Sequence, residues 1–134
     1  MNEKIFIQLA SYRDSELIPT IQDCICKADN KQDLVFSIAW QNCEEEIKTV
    51  QPQLDSLKKE VTIKEISIPW EESTGVCWAR NKLQQQYDGE AYTLQIDSHH
   101  RFAPGWDTYL KEQIHALMDA GYEKPLLTAY VNGY

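Results

Sequence analysis

The sequence has little of what several protein classes require. No stretch approaches the roughly 20 apolar residues of a membrane span, and the N-terminus lacks the apolar region of a signal peptide. Glycine and proline number 5 each in 134 residues, and no low-complexity segment appears, which argues against a disordered or fibrous chain. Basic side chains are also few, because 13 Lys and Arg face 21 Asp and Glu and give a net charge of −8. Since phosphate neutralisation drives nucleic-acid affinity, no nucleic-acid partner and no membrane span are expected.

The cysteines exclude a Cys-x-x-Cys site. Cys24, Cys26, Cys43 and Cys77 are the four, and none is followed by another at that spacing. Cys24 and Cys26 are expected on one helix, where residues two apart point to different sides, so they do not share a zinc ion. We therefore expect a reduced, cytoplasmic protein with mostly packed thiols rather than a disulfide framework.

Strand-type and helix-type segments alternate along the chain. The predicted strands run from Lys4 to Ala10, Asp33 to Trp40, Val61 to Ile68, Ala91 to Asp97 and Leu126 to Val131. The predicted helices run from Leu17 to Asp29, Glu44 to Glu60, Thr74 to Tyr87 and Gly105 to Ala120. Pro52 is expected to kink or split the second helix. The alternation predicts one domain, residues 1–134, folded as a three-layer α/β sandwich with a mainly parallel sheet.

Polar residues follow three of the predicted strands. They are Ser11-Tyr12-Arg13, Gln41 and Asp97 with His99. Because ligands bind beyond the carboxyl ends of parallel strands, Ser11, Gln41 and Asp97 are expected at one edge of the sheet. In a nucleotide site, Tyr12 would stack on a base, Ser11 would hydrogen-bond it and Arg13 would reach a phosphate. An ordinary strand-to-helix turn explains these residues equally well.

Asp97 and His99 are candidate metal ligands. A carboxylate and an imidazole leaving a strand at i and i+2 suit a divalent ion such as Mn²⁺, with Mg²⁺ as a second option. Two protein ligands leave positions that a diphosphate can fill. The alternative is that Asp97 caps a turn and His99 is a surface residue. His100 is not assigned, since adjacent residues on an extended segment point apart.

Gly75 and Arg80 form a candidate anion site. Gly75 precedes a helix whose first turn offers free N–H groups, and Arg80 lies one to two turns into that helix. Taken alone, Arg80 is more simply explained as an exposed helix arginine.

These segments, taken as an ordered set, resemble a known family. They resemble the N-terminal part of polypeptide N-acetylglucosaminyltransferases that modify hydroxyproline in a cytoplasmic ubiquitin-ligase subunit. The segments are Ile7 to Asp14, Asp23 to Ile25, Gly75 to Arg80, Leu94 to His99 with Arg101 and Phe102, and Gly105 to Asp107. The Asp-Ser-His element is also similar to that of mucin-type polypeptide N-acetylgalactosaminyltransferases. The resemblance implies a GT-A fold, a UDP-sugar donor and a divalent ion, usually Mn²⁺.

The resemblance also implies roles for individual residues. Asp97 and His99 would bind the metal, with Asp97 also near the ribose. Ser11, Tyr12 and Arg13 would line the uridine pocket, which Arg80 would help to hold and which Gln95 would adjoin. Family members continue beyond this length, and their later half supplies a third metal ligand and the acceptor groove. The chain is therefore expected to be the donor-binding half, with transfer activity in this form in doubt.

Three functions follow as hypotheses. The first is a metal-dependent glycosyltransferase that uses a UDP-sugar, above all UDP-GlcNAc, with a protein or glycan acceptor. The second is a nucleotide-sugar-binding module without chemistry of its own. The third is a metal-dependent phosphoesterase, which requires more acidic and histidine ligands than the strand ends provide. No catalytic base or nucleophile is assignable, and an open sheet edge makes self-association plausible.

Overall fold

The computed structural model describes residues 2–129. Within them lie the strands β1 (Ile5–Tyr12), β2 (Leu34–Asn42), β3 (Thr62–Pro69) and β4 (Tyr92–Asp97). The helices are α1 (Leu17–Lys27), α2 (Glu44–Leu57), α3 (Val76–Gln84) and α4 (Trp106–Asp119), with short 3-10 turns at Lys31–Asp33 and Trp70–Glu72. The sheet order is β3-β2-β1-β4, and every neighbouring pair is parallel. The predicted α/β class is confirmed.

The two faces of the sheet are covered by different helices. On one face, alternate residues of β1 and β2 such as Ile7 and Phe36 pack against α1, α2 and the start of α4. On the other face, Ala79 and Leu83 of α3 pack on Ala39. All nine residues of β2 are buried, as expected for a strand covered on both faces. Burial of each large apolar side chain contributes about 1.5–3 kcal/mol, so this central pair of strands organises the core.

Strand β4 lies at the edge of the described sheet and is only half covered. Helix α3 packs over β1 and β2, so the same face of β4 carries the exposed residues Thr93, Gln95 and Asp97. Ile96 points to the opposite face and is buried in the main core. The result is a polar stripe that ends at Asp97.

The structure corrects two sequence predictions about secondary structure, the split at Pro52 and the strand from Leu126. Helix α2 continues through Pro52 without being split, because Pro52 is exposed and water can hydrate the Lys48 carbonyl that lacks its usual partner. Residues 126–129 form no strand, and Leu126 is 84% exposed. Strand propensity needs a neighbouring strand to pair with, and the sequence does not specify one. The remaining predicted strand positions, Tyr130 and Val131, lie outside the described residues.

The four cysteines are all free. Cys24 and Cys26 point to different sides of α1, as predicted, since the first is buried and the second exposed. Cys77 is also exposed and Cys43 is half-buried, so the expectation of mostly packed thiols is wrong. The helices that carry Cys26 and Cys77 bury only one side. Among residues 2–129, no helix is long and apolar enough to cross a membrane.

Candidate functional site

Strand register brings the predicted polar strand ends to one edge. Ala10 pairs with Asp97 on one side of β1, while Ser11 pairs with Trp40 and Tyr12 with Gln41 on the other. Because all strands are parallel, these positions lie at the carboxyl edge of the sheet. The predicted placement of Ser11, Gln41 and Asp97 at the same edge is confirmed.

A cavity of about 340 Å³ opens at this edge. It is lined by Ala10, Tyr12, Gln41, Ser73, Gly75 and Val76. Its volume lies at the lower end of the roughly 300–1,000 Å³ of ligand sites. The Tyr12 side chain is 52% exposed, so its ring is accessible to a ligand at this edge.

Gln41 fixes one wall of the cavity. Its Nε2 donates a hydrogen bond to the Ser11 carbonyl at 3.1 Å, and its Oε1 accepts one from the Ser73 hydroxyl. The Gln41 side chain is buried, and both ends of its amide are thereby bonded. It joins β1, β2 and the loop before α3.

The N-terminus of α3 forms the adjacent wall. Gly75 is the N-cap, with a φ of 110° and no side chain that caps the helix. Gly75 and Val76 both line the cavity. The free N–H groups and the positive end of the helix dipole therefore lie beside it, an arrangement that favours an anion.

The side chains of Ser11 and Arg13 do not face the cavity in the way that the sequence hypothesis expects. The Ser11 hydroxyl is buried on the opposite face from Tyr12 and has no hydrogen-bond partner within the described chain. Ser11 does not line the cavity, but its carbonyl accepts the hydrogen bond that fixes Gln41 in the cavity wall. Arg13 has a φ of 48°, which is uncommon for a residue with a side chain, and its guanidinium lies 5.0 Å from the centre of the Trp70 ring. Their contact with a nucleotide stays a prediction.

Asp97 lies between a guanidinium and an imidazole. Its Oδ1 is 3.4 Å from Arg80 Nη2 and its Oδ2 is 3.8 Å from His100 Nε2. The Asp97 side chain is 54% exposed. Arg80 is therefore turned toward the strand ends, and His100, which the sequence analysis left unassigned, belongs to the same group. Gln95 is exposed two residues before Asp97 on the same face.

His99 contacts a residue that sequence reasoning missed. Its Nδ1 is 3.0 Å from Asp14 Oδ2, and the Ser98 hydroxyl donates to the same oxygen at 2.5 Å. The Glu16 N–H donates to Asp14 Oδ1 at 2.9 Å. Burial raises the pKa of Asp14, but these hydrogen bonds outweigh it, so the pKa lies below its ordinary value. The position of Asp14 just after β1, at the carboxyl edge of the sheet, was the sequence feature that could have identified it.

The loop after β4 is anchored on α1. The Thr20 hydroxyl donates to the Ser98 carbonyl at 2.8 Å, and the Phe102 N–H donates to Asp23 Oδ2 at 2.6 Å. These contacts hold the Asp97–His100 segment independently of Asp14.

The chemistry of the Asp97 and His99 donors suits an open metal site. No group of three or more His, Cys, Asp or Glu side chains within residues 2–129 is gathered to hold a metal ion. Asp97 and His99 nevertheless supply exposed oxygen and nitrogen donors, and Mn²⁺ accepts both kinds. The ring of His99 also contacts a carboxylate through its other nitrogen, as metal-ligating histidines usually do. Such a site requires further oxygen ligands from a bound molecule.

The parallel sheet has a cavity and exposed acidic and basic groups at its carboxyl edge, which is where α/β proteins of this class generally bind their ligands. The profile of the family described as Glycosyltransferase (GlcNAc) matches residues 4–63 and 44–134. The chain belongs to this glycosyltransferase family, which confirms the resemblance at that level and implies a nucleotide-sugar donor and an acceptor. A comparison with curated proteins finds no match.

Proposed function

We propose that this chain binds a UDP-sugar, UDP-GlcNAc above all, as the donor-binding part of a metal-dependent glycosyltransferase. The observation that carries the proposal is the adjacency of the cavity to the Asp97–Arg80 pair. Ala10 lines the cavity and is the register partner of Asp97. A ligand in the cavity therefore has a short path along the sheet edge to Asp97.

The uridine would occupy the cavity. The accessible ring of Tyr12 offers a stacking surface, and the bonded amide of Gln41, its register partner on β2, gives the adjacent wall a fixed shape. Asp97 and Gln95 would lie on the ribose side, because both belong to the exposed stripe of β4. Ser11 would act indirectly, because its carbonyl holds Gln41 in place. Arg13 would have to leave Trp70 to reach a phosphate.

The diphosphate would lie between α3 and the end of β4. A chain of net charge −8 repels an anion, so local positive groups must offset that field. The free N–H groups at the start of α3 and the guanidinium of Arg80 supply them. A phosphate that draws Arg80 away from Asp97 would leave the Asp97 carboxylate available to a cation.

Asp97 and His99 would hold that cation, which we propose to be Mn²⁺ or Mg²⁺. When bound, a divalent ion neutralises charge that builds up on the departing UDP. The chain's own contribution is to orient the diphosphate through Arg80 and the α3 N-terminus. We further propose a protein or glycan acceptor. The four free thiols support a reducing compartment such as the cytoplasm.

Calorimetric titration of the chain with UDP, with and without Mn²⁺, tests the proposal. Mn²⁺ is expected to raise the UDP affinity at least ~10-fold, about 1.4 kcal/mol. ADP is the matched control, because it carries the same diphosphate on a different base and should bind more weakly. Equal UDP affinity in both conditions would contradict the metal role.

A non-catalytic nucleotide-sugar-binding module is the second candidate. It is favoured by the lack of a third protein ligand beside Asp97 and His99 within the described range. UDP release from UDP-GlcNAc in the presence of Mn²⁺ and candidate acceptors separates the two, since a module binds the donor but releases no UDP. Hydrolysis of a chromogenic phosphate ester would instead support the phosphoesterase hypothesis.

A further inference from the structure

We propose that Asp14 is the positioning residue for His99, and that it presents the Nε2 of His99 as the ring nitrogen for a divalent cation. The inference rests on the proposed function, because it concerns the cation assigned there to Asp97 and His99. It adds a residue from the far end of the chain to that site, since Asp14 and His99 are 85 positions apart.

The geometry makes Asp14 a fixed acceptor. Its carboxylate takes hydrogen bonds from the Glu16 N–H at 2.9 Å and the Ser98 hydroxyl at 2.5 Å, besides its contact with His99 Nδ1 at 3.0 Å. Its side chain is only 22% exposed, whereas that of His99 is 60% exposed. The carboxylate is thus held by the turn between β1 and α1, while the ring reaches into solvent.

The chemistry of the pair sets the tautomer. A neutral imidazole has one nitrogen that donates and one that accepts, and an ionised carboxylate only accepts. Nδ1 must therefore carry the proton toward Asp14, and Nε2 keeps its lone pair. Carboxylates that contact metal-bound histidines fix both the tautomer and the ring orientation in this way.

The contact between Asp14 and His99 is not what anchors the loop after β4. The segment from Ser98 to Phe102 is also held by Thr20 and Asp23. Loss of the Asp14 carboxylate should therefore disturb the ring of His99 more than the path of the backbone.

Three variants distinguish positioning from other roles of Asp14. Asp14→Ala removes the acceptor. Asp14→Asn removes the charge but keeps an oxygen that can accept from Nδ1. Ser98→Ala removes the hydroxyl that donates to Asp14 and leaves the contact between Asp14 and His99.

The first measurement is the tautomer of His99 by long-range ¹H–¹⁵N NMR on the metal-free chain. It is made at about pH 8, which is about 1.5 units above the pKa of a free imidazole. Wild type and Ser98→Ala should show the proton on Nδ1, Asp14→Asn should largely retain it there, and Asp14→Ala should move it to Nε2. Wild type with the proton on Nε2 would overturn the proposal without any variant.

The second measurement is Mn²⁺ titration in the presence of UDP. Asp14→Ala should lower the Mn²⁺ affinity at least ~10-fold, at the lower end of the effect known for such supporting residues. Asp14→Asn should recover most of it, and Ser98→Ala should lose less than Asp14→Ala, because the Glu16 N–H still holds the Asp14 carboxylate. Equal losses of Mn²⁺ affinity in Asp14→Ala and Asp14→Asn would show that the charge of Asp14 matters rather than its contact with His99. That result would overturn the positioning role. Wild type that binds no Mn²⁺ would overturn the proposed function as well, so the two failures are distinguishable.

Discussion

The Nε2 of Gln41 donates a 3.1 Å hydrogen bond to the carbonyl of Ser11 and ties β2 to β1 at the carboxyl edge of the sheet. The other end of the same amide accepts from Ser73, on the loop before α3. A buried amide is costly unless both of its ends are bonded. This position therefore needs one donor and one acceptor, and glutamine supplies both.

Gln41→Glu should weaken UDP binding at least ~10-fold, about 1.4 kcal/mol. Glutamate has no donor for the Ser11 carbonyl and adds a negative charge to the wall of a site for an anion. The free energy of unfolding should also fall by about 1–3 kcal/mol, since a buried acceptor loses its partner. Calorimetry and urea unfolding measure the two effects. Gln53→Glu, on the exposed side of α2, is the control and should leave UDP affinity unchanged.

Gly75→Ala and Gly89→Ala form a matched pair. Both glycines have a positive φ, 110° and 81°, and a Cβ at either position would meet nothing within 4 Å. Each substitution therefore carries backbone strain without a steric clash, about 1–3 kcal/mol, and should lower the melting temperature. Only Gly75 borders the cavity, so only Gly75→Ala should weaken UDP binding. A similar loss of UDP affinity in Gly89→Ala would contradict this assignment.

Asp107 joins the end of α1 to the start of α4. Its Oδ1 accepts the Asp29 N–H and its Oδ2 the Asn30 N–H, each at 2.9 Å. Burial raises the pKa of Asp107, but hydrogen bonds from the backbone outweigh it and the pKa lies below the ordinary value of 3.8. The unfolded chain therefore takes up this proton at a higher pH than the folded chain does. Stability from this group is complete above the unfolded pKa and is lost as pH falls through the folded pKa.

Asp107→Asn should accordingly destabilise the protein by about 1–3 kcal/mol at pH 7, because one backbone N–H loses its acceptor. The difference in the free energy of unfolding between wild type and Asp107→Asn should shrink below about pH 4, because the wild-type carboxylate takes up its proton there. Urea unfolding across this pH range measures it. Asp119→Asn, at the exposed end of α4, should show no gap at any pH; a gap that persists at low pH for Asp107→Asn would contradict the account.

Sequence periodicity was sufficient to predict the type and approximate bounds of the elements that form the core. β1, β2 and α1 carry apolar residues at strand or helix spacing, and each formed within a few residues of its predicted bounds. The segment from Leu126 also begins with apolar residues, but a strand there needs a neighbouring strand to pair with, which local pattern cannot specify. At Pro52 the local sequence predicts a break that does not occur. Its exposure, which the sequence does not reveal, permits a continuous helix.

The candidate site was predictable only where it follows strand ends. Because parallel strands share a carboxyl edge, Gln41 and Asp97 were expected to lie together. The contact between Asp14 and His99 requires β4 to lie beside β1, and alternation of strands and helices does not determine the order of strands in a sheet. The approach of His100 to Asp97 depends on how the following loop turns back over α1.

The most direct test is UDP titration in the presence of Mn²⁺ for wild type, Asp97→Asn and His99→Ala. The account predicts that each variant binds UDP at least ~10-fold more weakly, about 1.4 kcal/mol. Thermal melts should stay near wild type, because both side chains are more than half exposed. His115→Ala, an exposed histidine on α4, is the control and should bind as wild type. Unchanged UDP affinity in both Asp97→Asn and His99→Ala would contradict the metal assignment on which the proposed function rests.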